Sequence, residues 1–171
     1  MQNENIVSGD RKKNNKIWIA AAIGSIAGFI ICAVVMISVM PSMMIVTKEC
    51  KFGFDETVEQ LKKNIIDEDW SVKDVRDINK EINKAGHDFK PRVKLIKLCK
   101  AEHAKSVLTT DRHVSCLMPC TMSVWEGDDG KVYLSEMNMS LMAKMFGGNV
   151  GKIMGGKVVE EEEKMLEGLL K

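Results

Sequence analysis

The chain has 171 residues, 45% hydrophobic and 29% charged, with a formal net charge of +1. That length supports one ordinary domain with its own core, and the balance excludes a disordered tail, a collagen-like chain and a supercharged nucleic-acid binder. Arg11, Lys12, Lys13 and Lys16 outnumber Glu4 and Asp10 near the start, and from Lys48 onward the two signs nearly cancel. No basic stripe is left to neutralise phosphates, so no nucleic-acid partner is expected.

From Ile17 to Thr47 no residue is charged. Residues 17–40 rise about 36 Å as a helix, enough to cross a hydrocarbon core of about 30 Å with some tilt. Trp18 beside Lys16 sits at interface depth, and Pro41 and Ser42 offer an exit. The stretch exceeds a signal-peptide core of about 7–15 residues and no small-x-small cleavage site follows it. Cys32 follows Ile31 rather than a small residue, which argues against lipoprotein processing. An uncleaved single-pass anchor is therefore expected. Its basic N-terminal flank predicts a cytoplasmic N-terminus (1–16), a transmembrane helix (17–40), a linker or start of a strand (41–47) and an extracytoplasmic soluble domain (48–171). Ala20, Gly24 and Gly28 recur every four residues, a spacing that lets two helices approach closely and predicts a homodimer in the membrane.

The soluble part reads as alternating short strands and helices. Met44–Phe52 is a first strand. Asp55 caps a helix with Glu56 and Glu59 in its first turn, and Phe54, Val58, Leu61 and Ile65 share one face. Trp70–Val75 is a second strand, and Ile78, Ile82 and Ala85 mark a short helix stopped by Gly86. Arg92–Cys99 is a third strand with apolar residues on both faces, and Ala101–Leu108 is helical. Val114, Cys116, Met118, Cys120, Met122 and Val124 alternate as a strand, with Pro119 demanding an edge or a bulge. Glu126-Gly127-Asp128-Asp129-Gly130 is a hairpin loop leading into Lys131–Met137. From Ser140 the tail is helical, broken around Gly147 and Gly148. The expected fold is α+β, helices packed on a mostly antiparallel sheet.

Several segments in this order resemble one family. They are Phe54-Asp55-Glu56-Thr57-Val58, Leu98-Cys99, Leu117-Met118-Pro119-Cys120, Val124-Trp125-Glu126 and Met137-Asn138. The chain resembles the domain of unknown function 302 family over roughly residues 48–170. The resemblance implies a small α+β domain without an established activity. It singles out Cys99 and Cys120, with Glu126 as a third participant. Lys100-Ala101-Glu102-His103 follows Cys99 where the family usually has Asn-Pro.

Two chemistries are open to these residues. Cys99 and Cys120 on neighbouring strands would form a thiol–disulfide relay if their Cα atoms approach the roughly 5.5–6 Å a disulfide needs. The pattern Cys99-x3-His103-x12-Cys116-x3-Cys120 supplies soft ligands for zinc, copper or iron. On an extended strand Cys116 and Cys120 stand about 13 Å apart, so the metal set reduces to Cys99, His103 and Cys120. Non-covalent haem on a Cys or His stays open, and no resident cofactor is identified.

Met137, Met139, Met142 and Met145 suit Cu(I), but methionines also fill cores, and that is the expectation here. Gly151–Lys157 spells the start of a phosphate loop, but Val158 stands where Mg²⁺ needs Ser or Thr, so no nucleotide is expected. Gly147, Gly151 and Gly155 point instead to close helix packing, within the chain or between subunits. Glu160–Glu163 is expected to be a solvated helix face, and His87 and His113 surface residues. No nucleophile, base and orienting acid can be assembled, so an enzyme is not expected. The function expected is that of a membrane-anchored binding or thiol-redox accessory domain, with a structural or interaction domain and a metal or haem carrier as alternatives.

Overall fold

The structure is a computed structural model that describes residues 4–171, with side chains described at Trp18 and from residue 21 onward, Pro41 excepted. Ala20 therefore falls outside the described side chains, as do the four basic residues before Ile17. The chain divides into two units, Met1–Ser42 and Met43–Lys171.

Helix α1 spans Glu4–Met44. Within it Ala21–Met40, of mean hydropathy 2.5, is long and apolar enough to cross a membrane. The helix runs on past the exit expected at Pro41, and Ser42 Oγ donates to the carbonyl of Val39 at 2.8 Å. Gly24 and Gly28 lie on open helix surface.

The second unit is built on a five-stranded antiparallel sheet in the order β1-β5-β4-β3-β2. Its strands are β1 (Ile45–Glu49), β2 (Ser71–Asp77), β3 (Val93–Cys99), β4 (Cys120–Glu126) and β5 (Val132–Met137). Helices α2 (Phe54–Asp67), α3 (Ile78–Lys84), α4 (Ala101–Thr110), α5 (Met139–Phe146), α6 (Gly148–Lys152) and α7 (Val159–Leu166) join and cover them. Period-two alternation sends Ile96 and Leu98, Met122 and Val124, and Leu134 to one face, where all are buried. Val58, Leu61 and Ile65 of α2 and Met165 and Leu166 of α7 close on that face. Each such side chain contributes about 1.5–3 kcal/mol by leaving water. The other face carries Thr47, Ser135, Trp125 and Tyr133. There Trp125 stacks on Tyr133 with centroids 4.8 Å apart and donates from Nε1 to Ser135 Oγ at 2.9 Å.

Two expectations differ from the structure. Val114–Val124 is not one strand: residues 112–117 form a 3₁₀ turn, and the strand starts at Cys120, immediately after Pro119. Pro119 has no N–H to give to a ladder, so pairing can begin only beyond it. Asp55 does not cap α2, whose N-cap is Gly53. Both Asp55 oxygens instead accept from Arg92 Nη2 at 2.7 Å, and Oδ1 also accepts from Lys94 Nζ at 3.2 Å, tying α2 to β3. Arg92 also lies 4.1 Å over the Phe54 ring.

The close helix packing expected of the C-terminal glycines is found at Gly151 and Gly155, while Gly147 meets nothing within 4 Å. A Cβ at Gly151 would come 2.8 Å from the Ala143 carbonyl oxygen, and one at Gly155 2.6 Å from the Ala143 Cβ. The close packing they permit lies within the chain, between α5 and the helical segment that follows it. That segment is continuous from Gly148 to Leu166 through a π-helical turn at Ile153–Val158. The extra residue of a π turn shifts the phase of the helix, carrying the buried stripe from Val150 and Met154 to Val158, Glu162 and Met165.

Candidate functional site: a buried carboxylate pair

Every cysteine among the described residues is a free thiol. Leu98 pairs with Cys120 across β3 and β4, so both face the core, while Cys99 pairs with Ser71 and is turned by the pleat to the opposite face. Cys99 and Cys120 are neighbours along the ladder but not facing thiols. Burial pushes the Cys120 thiol up to about 12, with the nearby negative charge of Glu162 and then Cys99 adding to it. Glu126 ends β4 six residues beyond Cys120, about 20 Å away along the strand, and pairs with Arg92 at 3.5 Å.

His103 is buried, and its ring bonds to a carboxylate rather than to a cysteine. Its Nε2 lies 2.8 Å from Glu161 Oε2, which also accepts from Trp70 Nε1 at 2.8 Å, while Lys100 Nζ donates to Glu161 Oε1 at 2.9 Å. Lys100 gives a further bond to the Glu68 carbonyl, and the His103 ring meets Trp70 edge-on. Burial alone would raise the Glu161 carboxyl, but the bonds from Lys100, His103 and Trp70 outweigh it and hold the group below its usual range. With its acceptors filled, this network is a clamp between α4, α7 and the start of β2. Among the described residues no group of three or more His, Cys, Asp or Glu side chains is arranged to hold a metal ion. The Cys99, His103 and Cys120 set is not assembled.

Glu160–Glu163 is not a uniform solvated face. Glu160 and Glu163 are exposed, Glu161 enters the clamp, and Glu162 is turned inward with 7% of its surface exposed. No side chain or backbone group among the described residues donates to Glu162. Opposite it stands Glu136 of β5, which pairs with Val46 and follows Val132 and Leu134 on the inward face of its strand. Glu136 Oε2 is fully buried and has no hydrogen-bond partner. Burial raises both carboxyls. Glu162, with the charge of Glu136 adding to the effect and Lys48 opposing it, is pushed up to about 8. The two carboxyls line an open cavity of about 110 Å³, walled by Val46, Val159 and Leu166, with Lys48 at its margin.

Met137 and Met139 line this cavity and also a second, wholly apolar one. Met142 and Met154 line the second, whose free space of about 10 Å³ has room for at most one water molecule. Those methionines are packing groups, and Met145 is exposed.

The acidic cavity was legible on two counts. Glu136 occupies the inward phase of a period-two strand after Val132 and Leu134. Glu162 lies on the helical stripe of Val158, Met165 and Leu166. A charged residue at a core phase is the signal, and in α7 the run of four acids from Glu160 to Glu163 hid it.

The five-stranded antiparallel sheet with helices closing one face defines a small α+β domain, and the carboxylate cavity lies where that layer meets the β1–β5 edge. The chain belongs to the family described as domain of unknown function DUF302, which it matches over residues 46–171. A solved crystal structure, that of an uncharacterized conserved protein DUF302 from Bacillus stearothermophilus, is similar in fold. Its TM-score is 0.65 at 19% identity, and the match covers 73% of this chain and 97% of that one. No curated protein matches the chain.

Proposed function

We propose that the chain is a membrane-tethered binding domain whose ligand pocket is the Glu136–Glu162 cavity. In this reading α1 is an uncleaved anchor with a cytoplasmic N-terminus, residues 43–171 stand outside the membrane, and two chains pair through Gly24 and Gly28. One observation carries the pocket assignment: Glu162, more than nine-tenths buried, faces an open cavity without a donor. Burying an unpaired carboxyl costs free energy that a satisfied core residue would not, and such costs collect at binding and catalytic sites. A thiol relay draws less support, because the Cys120 thiol is pushed far from the thiolate form and Cys99 faces the other way.

The test is a titration of the full chain in detergent micelles, with ¹³C-methyl methionine as the reporter and small cationic, neutral amide and anionic probes. At least one class is expected to shift the Met139 methyl saturably, and Ser140→Trp, which fills the cavity mouth, to abolish the shift. Absence of any saturable response at Met137 and Met139 would overturn the assignment.

A further inference from the structure

We propose that the Glu136–Glu162 cavity takes the head of a small organic ammonium ion. The inference rests on the reading of this cavity as the ligand pocket and names the chemistry of its ligand. The walls supply acceptors and almost no donors. Glu162 receives no hydrogen bond from a described residue, and Glu136 Oε2 is buried without a partner. Asn138, also in the lining, is committed: its Nδ2 donates to the Met43 carbonyl and its Oδ1 accepts from Leu141 N. Ser140 offers one hydroxyl. The other charged groups facing the pair are Lys48 of β1, whose exposed side chain bonds to neither carboxyl, and Glu163 of α7. The remaining titratable neighbour, Cys120 of β4, is a neutral thiol.

A ligand that fits brings several N–H donors and a positive charge into a space of about 110 Å³. A primary ammonium does so with three donors on a compact head, and the apolar walls of Val46, Val159 and Leu166 accept a short alkyl stem. A calcium ion would need about six to eight oxygens, and two carboxylates do not supply them. Binding is proton-linked. The Glu162 carboxylic acid gives its proton to solvent, the carboxylate remains, and the ammonium takes its place as the positive partner, so one positive charge enters as one leaves.

The test is calorimetric titration of the full chain in detergent near pH 7 with propylammonium chloride, in two buffers of different ionisation enthalpy. Tetramethylammonium chloride, which has no N–H donor, and calcium chloride serve as contrasts. Saturable binding of propylammonium with release of up to about one proton is expected. Glu162→Gln is expected to weaken it roughly tenfold or more. Glu136→Gln is the second variant should the first fail to fold, and circular dichroism reports which has folded. The assignment is overturned if propylammonium does not saturate, if tetramethylammonium or calcium binds equally well, or if both folded variants bind as the parent does. If neutral or anionic probes shift Met139 while propylammonium does not bind, the pocket stands and the ammonium assignment fails.

Discussion

Two consecutive carboxylates, Glu161 and Glu162, leave one helix about 100° apart and enter different surroundings. Glu161 meets three donors, and Glu162 meets an acid and an apolar wall. Their contributions to stability therefore run in opposite directions with pH. The Glu161 carboxyl binds its proton less tightly in the fold than in the unfolded chain. Its contribution is present above the ordinary carboxyl range and is lost as pH falls through its lowered folded value. Glu162 binds its proton more tightly in the fold. Stability from this group is full below about 4.5 and falls as pH rises to about 8, with a slope on the order of 1 kcal/mol per pH unit. Glu161→Gln is expected to destabilise the protein by about 1–3 kcal/mol at pH 7, since Lys100 and His103 lose a charged partner. Glu162→Gln is expected to raise the melting midpoint at pH 8 and flatten the loss of stability between pH 5 and 8. Chemical denaturation across that range checks both. A Glu162→Gln protein with the parent's pH profile would contradict the account.

At the scale of elements, the helical hairpin of α5 and the segment after it depends on two missing side chains. Gly151→Ala places a Cβ against the Ala143 carbonyl oxygen and is expected to cost about 1–3 kcal/mol. Gly156→Ala, with open space around it, is expected to be neutral or stabilising by up to about 1 kcal/mol. Thermal melts of the two variants compare them directly, and equal midpoints would contradict the packing described. This region also shows where sequence reasoning stops. The face of α2 was readable because Val58, Leu61 and Ile65 repeat at the helical period. The β4–β5 hairpin was readable from its Gly-Asp-Asp-Gly turn, where Gly130 adopts φ 74. The apolar alternation through Val114, Cys116 and Met118 was misleading, since a pattern of side chains cannot supply the N–H that Pro119 lacks. The π turn has no periodic signature of its own, so its place at Ile153–Val158 could be seen only in the folded chain. Cys99 and Cys120 lie on neighbouring strands, but which face each takes depends on a register fixed by pairing, not by either segment alone.

For the whole molecule, the proposed arrangement is an anchor and a domain on the far side of the membrane from the N-terminus. Cys116 is an exposed thiol in a turn of that domain, whereas Cys50 and Cys120 are buried. A membrane-impermeant maleimide added to intact cells is expected to label the protein, and Cys116→Ser to reduce that labelling sharply. Labelling that appears only after permeabilisation would place the domain on the cytoplasmic side. Pairing of two chains through the anchor predicts that Gly28→Leu disrupts a dimer in micelles, because a large side chain holds two helix backbones apart. A crosslinked dimer unaffected by that change would contradict it.

Glu162 is buried, meets no donor among the described residues, and is hard to ionise. Its side-chain carboxyl, followed by ¹³C NMR in the full chain as pH is raised, measures this without a ligand. A titration midpoint of about 8, falling when propylammonium is added, is the predicted result. A midpoint in the ordinary carboxyl range near 4.5 would mean that the group is hydrated or already paired, and the pocket would lose its reason to bind.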